Sequence, residues 1–349
     1  MRTNIGISGD RLLAIAFVFM VTVALGGLVS GETGASFTSS TVNPANNVAT
    51  MLVQVPASQN NTTSAAAGLV TLSWAATPTA PGAGHTLTYN VLRGPVGGPY
   101  ALIGNTSGLT FNDTPSSDGT YQYVIQAKVT GGGTFTSGNS AAKNGLSDRT
   151  APVISISCNS SPTCPASWYN AAVSVTVSGT DGGTGMGSVT RNVDGAGQVS
   201  TAGASVTFSV STQSAGHIVQ YFGTDAAGNS ASTGSKTIRI DLTLPTSATA
   251  LASAVGAPGA PVTVDLTWTA GTDALSGVQG YEIRWTGDMA TCPATSSANY
   301  PFSATIGAAA SYAISGLVAN DRICAYLITI DNAGNRSINS TATGPTKAK

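Results

Sequence analysis

The chain is punctuated at a fixed interval. Asp148-Arg149-Thr150-Ala151-Pro152 returns 93 residues later as Asp241-Leu242-Thr243-Leu244-Pro245. A proline withdraws a ladder donor at the end of one strand and stiffens the way into the next. Each copy therefore marks a boundary, and an interval near 100 residues is the length of one β-sandwich.

Inside the intervals the same strands and turns recur in the same order. The second interval runs Val173 to Val177, then Gly179-Thr180-Asp181, then Gly185-Met186 and a strand ending near Val193. The third runs Leu266-Thr267-Trp268, then Gly271-Thr272-Asp273, then Gly277-Val278 and the strand Tyr281 to Trp285. Alternating strands, His217 to Tyr221 and Cys324 to Ile330, lead into Asp225-Ala226-Ala227-Gly228-Asn229 and Asp331-Asn332-Ala333-Gly334-Asn335. Asp closes such a hairpin through its side chain, and Gly or Asn accepts positive φ. An earlier, more divergent stretch carries Leu72-Ser73-Trp74, Tyr89-Asn90-Val91-Leu92-Arg93 and Asp118-Gly119-Thr120-Tyr121-Gln122-Tyr123-Val124-Ile125.

On these residues the first and third stretches resemble fibronectin type III domains, through the L-x-W strand and the Tyr-rich strands. In the third, Arg322 or Ile323 stands where that family places its corner tyrosine. The second resembles bacterial Ig-like repeats that end in D-x-A-G-N. The resemblance implies an all-β chain of three tandem Ig-like or fibronectin-III-like sandwiches after an N-terminal hydrophobic helix. Its divisions are residues 1–35, a signal peptide or membrane anchor; 36–65, a Ser/Thr/Asn-rich lead-in; 66–147; 148–240; and 241–349.

Arg2 and Arg11 precede the apolar stretch Leu12 to Val29. A positive end before an apolar core is an export signal, since the positive end stays cytoplasmic. The stretch is long for a cleaved segment and close to the minimum for a spanning helix. Thr33 and Ala35 offer small residues for cleavage before Ser36, so removal and retention as an anchor both stay open. The segment Gly31 to Thr50, with Phe37, Ser39 to Thr41 and Asn43-Pro44, resembles the cleavage region of TasA/camelysin-like matrix proteins.

Charged residues are only 8% of the chain and its net charge is -1, against roughly 25% charged in an ordinary soluble protein. No basic run exists to neutralise phosphates, which excludes a nucleic-acid partner. The four cysteines fall in two local pairs, Cys158 with Cys164 and Cys292 with Cys324. An even count in an exported chain reads as disulfides.

His85 and His217 are the only histidines. Neither accompanies a nucleophile elbow, an H-E-x-x-H helix or a P-loop. The acids are scattered over turns rather than paired as in a glycosidase. No catalytic or cofactor residue is assigned, and the chain reads as a non-enzyme. Asp148, Asp181 and Asp225, and likewise Asp241, Asp273 and Asp331, are expected at one pole of a sandwich, where hard oxygens could hold Ca²⁺. Each is explained by its own turn or cap and no D-x-D-x-D density is present, so turn chemistry is the leading reading and no metal ligand is assigned.

Trp74 and Trp268 are expected in the cores. Trp168-Tyr169 and Trp285 are less constrained; exposed in a row, they could stack on sugar rings. The leading reading is a non-enzymatic secreted or cell-surface protein, its sandwiches acting as spacer or adhesive units. Its partners would be cell-envelope or matrix proteins, and its N-terminal segment would enter the membrane. The alternative is a polysaccharide-binding accessory protein that uses exposed aromatics.

Overall fold

A computed structural model describes residues 52–56, 59–257, 261–339 and 341–349. The N-terminal apolar stretch and the TasA-like segment lie outside the described residues. Among those described, no helix is long and apolar enough to cross a membrane. The chain divides into two compact units, Met1–Asp148 and Arg149–Lys349. The first holds one sandwich and the second holds two.

The first sandwich is built from β1 (Gln59–Ala65), β2 (Leu69–Trp74), β3 (Thr86–Gly94), β4 (Ala101–Thr106), β5 (Thr110–Asp113), β6 (Gly119–Thr130), β7 (Thr134–Thr136) and β8 (Lys143–Ser147). One sheet runs β1-β2-β5 and the other β4-β3-β6-β7, with β8 also on β6. Alternation on β2 sends Val70, Leu72 and Trp74 inward against Tyr89, Val91, Tyr123 and Ile125 of the facing sheet, the period-two pattern of a half-buried strand. The described part of the lead-in expected over 36–65 belongs to the first sandwich. Residues 59–65 form β1, and Val53 is already in the core. Their Asn/Thr composition hid a strand that is held by backbone pairing to β2.

The second sandwich comprises β9 (Val153–Cys158), β10 (Trp168–Tyr169), β11 (Val173–Thr180), β12 (Met186–Val193), β13 (Val199–Ala202), β14 (Ser205–Val210), β15 (Ser214–Asp225) and β16 (Gly234–Ile240). Its sheets are β9-β11-β14 and β10-β16-β15-β12-β13, with β10 parallel to β16.

The third comprises β17 (Thr249–Val255), β18 (Val264–Thr269), β19 (Val278–Trp285), β20 (Phe302–Ile306), β21 (Ser311–Ile314), β22 (Arg322–Asp331), β23 (Arg336–Ile338) and β24 (Thr343–Lys347). Its sheets are β17-β18-β21 and β20-β19-β22-β23, with β24 also on β22.

The L-x-W strands of the first and third sandwiches make the same core contact. Trp74 meets Tyr89 edge-on at 5.6 Å and Trp268 meets Tyr281 at 5.2 Å. Each tyrosine hydroxyl then accepts a backbone N–H at the sandwich end, from Thr77 and from Gly271 respectively. The corner tyrosine of the first sandwich is Tyr121, whose hydroxyl donates to the Ser117 carbonyl at 3.1 Å. In the third, Ile323 is buried in the core instead.

The third sandwich departs from two layers. On β22, Ile323, Ala325 and Leu327 face the inner core, while Cys324, Tyr326, Ile328 and Ile330 form a second cluster with Tyr300. The loop 286–301 covers that outer face. It is stapled by the Cys292–Cys324 disulfide and by edge-on packing of Tyr300 on Tyr326 at 4.8 Å. The Tyr300 hydroxyl closes the loop on itself by donating to the Pro293 carbonyl. Strand β22 is therefore buried on both faces.

Candidate functional site

The D-x-A-G-N turns set up the most concentrated chemistry. In the third sandwich, Asp331 ends β22, and its Oδ1 and Oδ2 accept from the Asn335 backbone N and side-chain Nδ2, each at 2.8 Å. Gly334 supplies the required positive φ of 90°. The second sandwich repeats the device: Asp225 Oδ1 accepts from Asn229 N at 2.8 Å, and Gly228 has φ 97°. The side-chain closure expected from the motif is the one observed.

Asp273 lies in the turn after β18. Its Oδ1 gathers the backbone N–H groups of Leu275 and Gly277 and the Ser276 hydroxyl. Burial works against its charge, but these bonds outweigh it and hold its pKa below the usual carboxylate value.

Asp241 is the residue through which the second and third sandwiches are joined. Its backbone N–H donates to the Tyr169 carbonyl of β10 at 2.9 Å. Its Oδ2 accepts from Ser276 N at 3.0 Å and its carbonyl accepts from Asn335 Nδ2 at 2.9 Å, both in the third sandwich. Its Oδ1 accepts from Thr243 N, which turns the linker back on itself.

Asp241, Asp273 and Asp331 thus converge, each offering a carboxylate oxygen within 4.8 Å of the other two. Asp241 and Asp331 are fully buried. No described Lys or Arg makes a salt bridge to any of the three. A carboxylate oxygen has two lone pairs, so the turn bonds leave acceptor capacity for a hard cation. These residues could offer oxygen ligands to Ca²⁺. Millimolar Ca²⁺ is expected to raise the melting temperature of the second unit, chelator to reverse the rise, and Asp331→Asn to blunt it. A melting curve that ignores both reagents would leave the three aspartates to their turns alone. Of the other expected trio, Asp148 belongs to the first unit and Asp181 and Asp225 to the second. Asp181 Oδ2 accepts from Gly183 N and Gly185 N.

Both cysteine pairs are disulfides, Cys158–Cys164 and Cys292–Cys324. Trp168 and Tyr169 form β10, and Tyr169 packs on the core of the second sandwich. Trp285 packs on the core of the third and stacks on Phe302 at 6.0 Å, near Tyr312. His85 sits in a loop with its Nδ1 near the Ala83 carbonyl.

His217 has a partner that sequence reasoning missed. Asp194, in the turn after β12, lies 2.6 Å from its Nδ1. The Asp194-Gly195 pair signals a tight turn, but only the pairing of β12 with β15 brings it to His217. The first sandwich holds a second unforeseen group, Arg93, Asp113 and Tyr123. Arg93 donates to both Asp113 oxygens at 3.0 and 2.8 Å, and the Tyr123 hydroxyl donates to Asp113 Oδ2 at 2.8 Å.

No protein family and no curated protein matches this sequence. Among solved structures, the chain is similar to fibronectin domains of chicken CNTN1, at 13% identity and a TM-score of 0.32, covering 84% of this chain and 98% of that one. It is also similar to a multidomain stretch of titin, at 11% identity and a TM-score of 0.39, covering 84% and 96%. Both superpose loosely, and the strand order given above stands by itself.

Proposed function

We propose that this chain is a non-enzymatic structural protein of the cell surface or extracellular space, its tandem sandwiches serving as spacer and protein-interaction units. The observation that carries this reading is the fastening at Asp241. A single linker residue bonds backward to Tyr169 and forward to Ser276 and Asn335. Such a joint holds successive modules in a set relation, which a spacer needs and a flexible tether does not. The two disulfides favour an oxidising compartment, consistent with the Arg-flanked apolar segment acting in export. Cell-envelope or matrix proteins are the partners this reading calls for.

In intact source cells, the protein is expected to be labelled by antibody and shed by external protease, and a variant lacking residues 1–35 to remain inside. Recovery of the full chain from the cytoplasm with reduced cysteines would overturn the proposal. The polysaccharide reading has one half-exposed ring in its favour, Phe302 on Trp285. On insoluble glycans we expect the protein to stay in the supernatant. Retention that Phe302→Ala abolishes would transfer the assignment to glycan binding.

A further inference from the structure

His217 is buried at the start of β15 with both ring nitrogens against oxygen. Nδ1 lies 2.6 Å from Asp194 Oδ2, and Nε2 lies 2.8 Å from the Thr212 carbonyl oxygen and 3.1 Å from the Thr212 hydroxyl. A carbonyl oxygen and an ionised carboxylate can only accept. The ring that donates to both of these oxygens is the imidazolium, whereas a neutral ring keeps the Asp194 bond and turns Nε2 to the Thr212 hydroxyl, which can donate. Asp194 adopts left-handed φ of 53° and is fastened to the next residue as well. Its N–H donates to the Ile218 carbonyl at 2.9 Å, and its Oδ1 accepts from Ile218 N at 2.7 Å.

The other side of the ring leads to the linker. Thr212 is followed by Gln213, whose Oε1 accepts from Leu242 N at 3.3 Å and from the Thr243 hydroxyl at 2.8 Å. These are the two residues after Asp241. A continuous series of bonds thus runs from Asp194 through His217 and Thr212 to Gln213 and the linker. We propose that His217 is a protonation-controlled latch, setting how firmly the loop before β15 grips the linker into the third sandwich.

The charge acting on the ring is that of Asp194. Strand β16 pairs with β15 and places Ile238 opposite His217. Its Lys236 and Arg239 stand on either side of Ile238, with Arg239 donating to the Ala166 carbonyl. The loop before β15 contributes only the neutral Thr212 and Gln213. Burial disfavours the charged ring, but Asp194 and the Thr212 carbonyl outweigh it and hold the His217 pKa above 6.5. The hydrogen bond from His217 holds Asp194 below its ordinary value. The latch is therefore complete below the ordinary histidine pKa and is lost as pH rises through the raised one. On the acid side it is lost as pH falls through the depressed Asp194 value.

The test follows the imidazole resonances and amide exchange of the full chain across this range. His85→Gln identifies which resonance belongs to His217. His217 should titrate above 6.5, and exchange at Leu242, corrected for its intrinsic rate, should rise severalfold over the same span. In Gln213→Ala, His217 should still titrate high while linker exchange becomes fast and independent of pH. In His217→Gln the pH dependence should vanish. A His217 that titrates at or below the ordinary value, or linker exchange that ignores its titration, overturns the latch.

Discussion

Replacing Asp113 with alanine lowers the stability of the first sandwich by about 3 kcal/mol, the range expected when one member of a buried charged group is removed. Asp113 accepts from two donors on the facing sheet. Arg93 lies near the end of β3 and Tyr123 lies on β6, and both reach across to the end of β5. Without the carboxylate, a guanidinium only 27% exposed loses its ion pair, and a fully buried phenol loses its acceptor. Arg93 retains its stacking over Tyr121 at 5.2 Å, which limits the loss. The Tyr123 hydroxyl is already hard to ionise, through burial first and then its bond to Asp113. Tyr123→Phe removes one hydrogen bond and leaves the ion pair intact, so it should cost about 1 kcal/mol. Amide exchange of β6 in the full chain measures both. Equal losses for the two variants would show that the carboxylate does no more than accept one phenol.

Removing the Cys292–Cys324 disulfide by a double alanine substitution costs the third sandwich about 3 to 4 kcal/mol from loop closure alone. The Cys158–Cys164 bond closes a much shorter loop, with a sequence separation of 6 against 32, and its removal should cost about 2 kcal/mol. The longer loop also covers Tyr326, Ile328 and Ile330. Its release exposes apolar surface, so the double variant should bind an apolar dye that the parent does not. Calorimetry of the two double variants gives the ranking. A smaller loss for the longer loop would mean that Tyr300 and its contacts hold the cover without the disulfide.

These features differ in how they were legible. The L-x-W strands and the D-x-A-G-N turns were readable because alternation and turn closure are decided within a few residues. Leu72 and Trp74 point inward because Ser73 points out, whatever the rest of the chain does. Asp331 closes on Asn335 four residues away. The convergence of Asp241, Asp273 and Asp331 followed from placing those turns at one pole. Arg93 with Asp113, and Asp194 with His217, depend on which strands face or pair and in what register. No local pattern encodes that. The outer cluster of the third sandwich did have a signal. Ile323 to Ile330 is apolar on both parities, with Thr329 the one polar residue, whereas a strand with one wet face alternates. Such a run marks two-sided burial, and the long loop carrying Cys292 was the segment available to cover it.

The strands at the rims of these sheets bear on how the molecule stays dispersed. With so few charges, mutual repulsion between copies is weak, and an open sheet rim is a template for another chain. Here β1 and β17 each carry a register shift where they meet their neighbours. In the second sandwich the rim beyond β16 is taken by two residues of β10, running parallel. Irregular or very short rims pair poorly with a foreign strand. At these three rims strand geometry, rather than charge, works against edge-to-edge pairing.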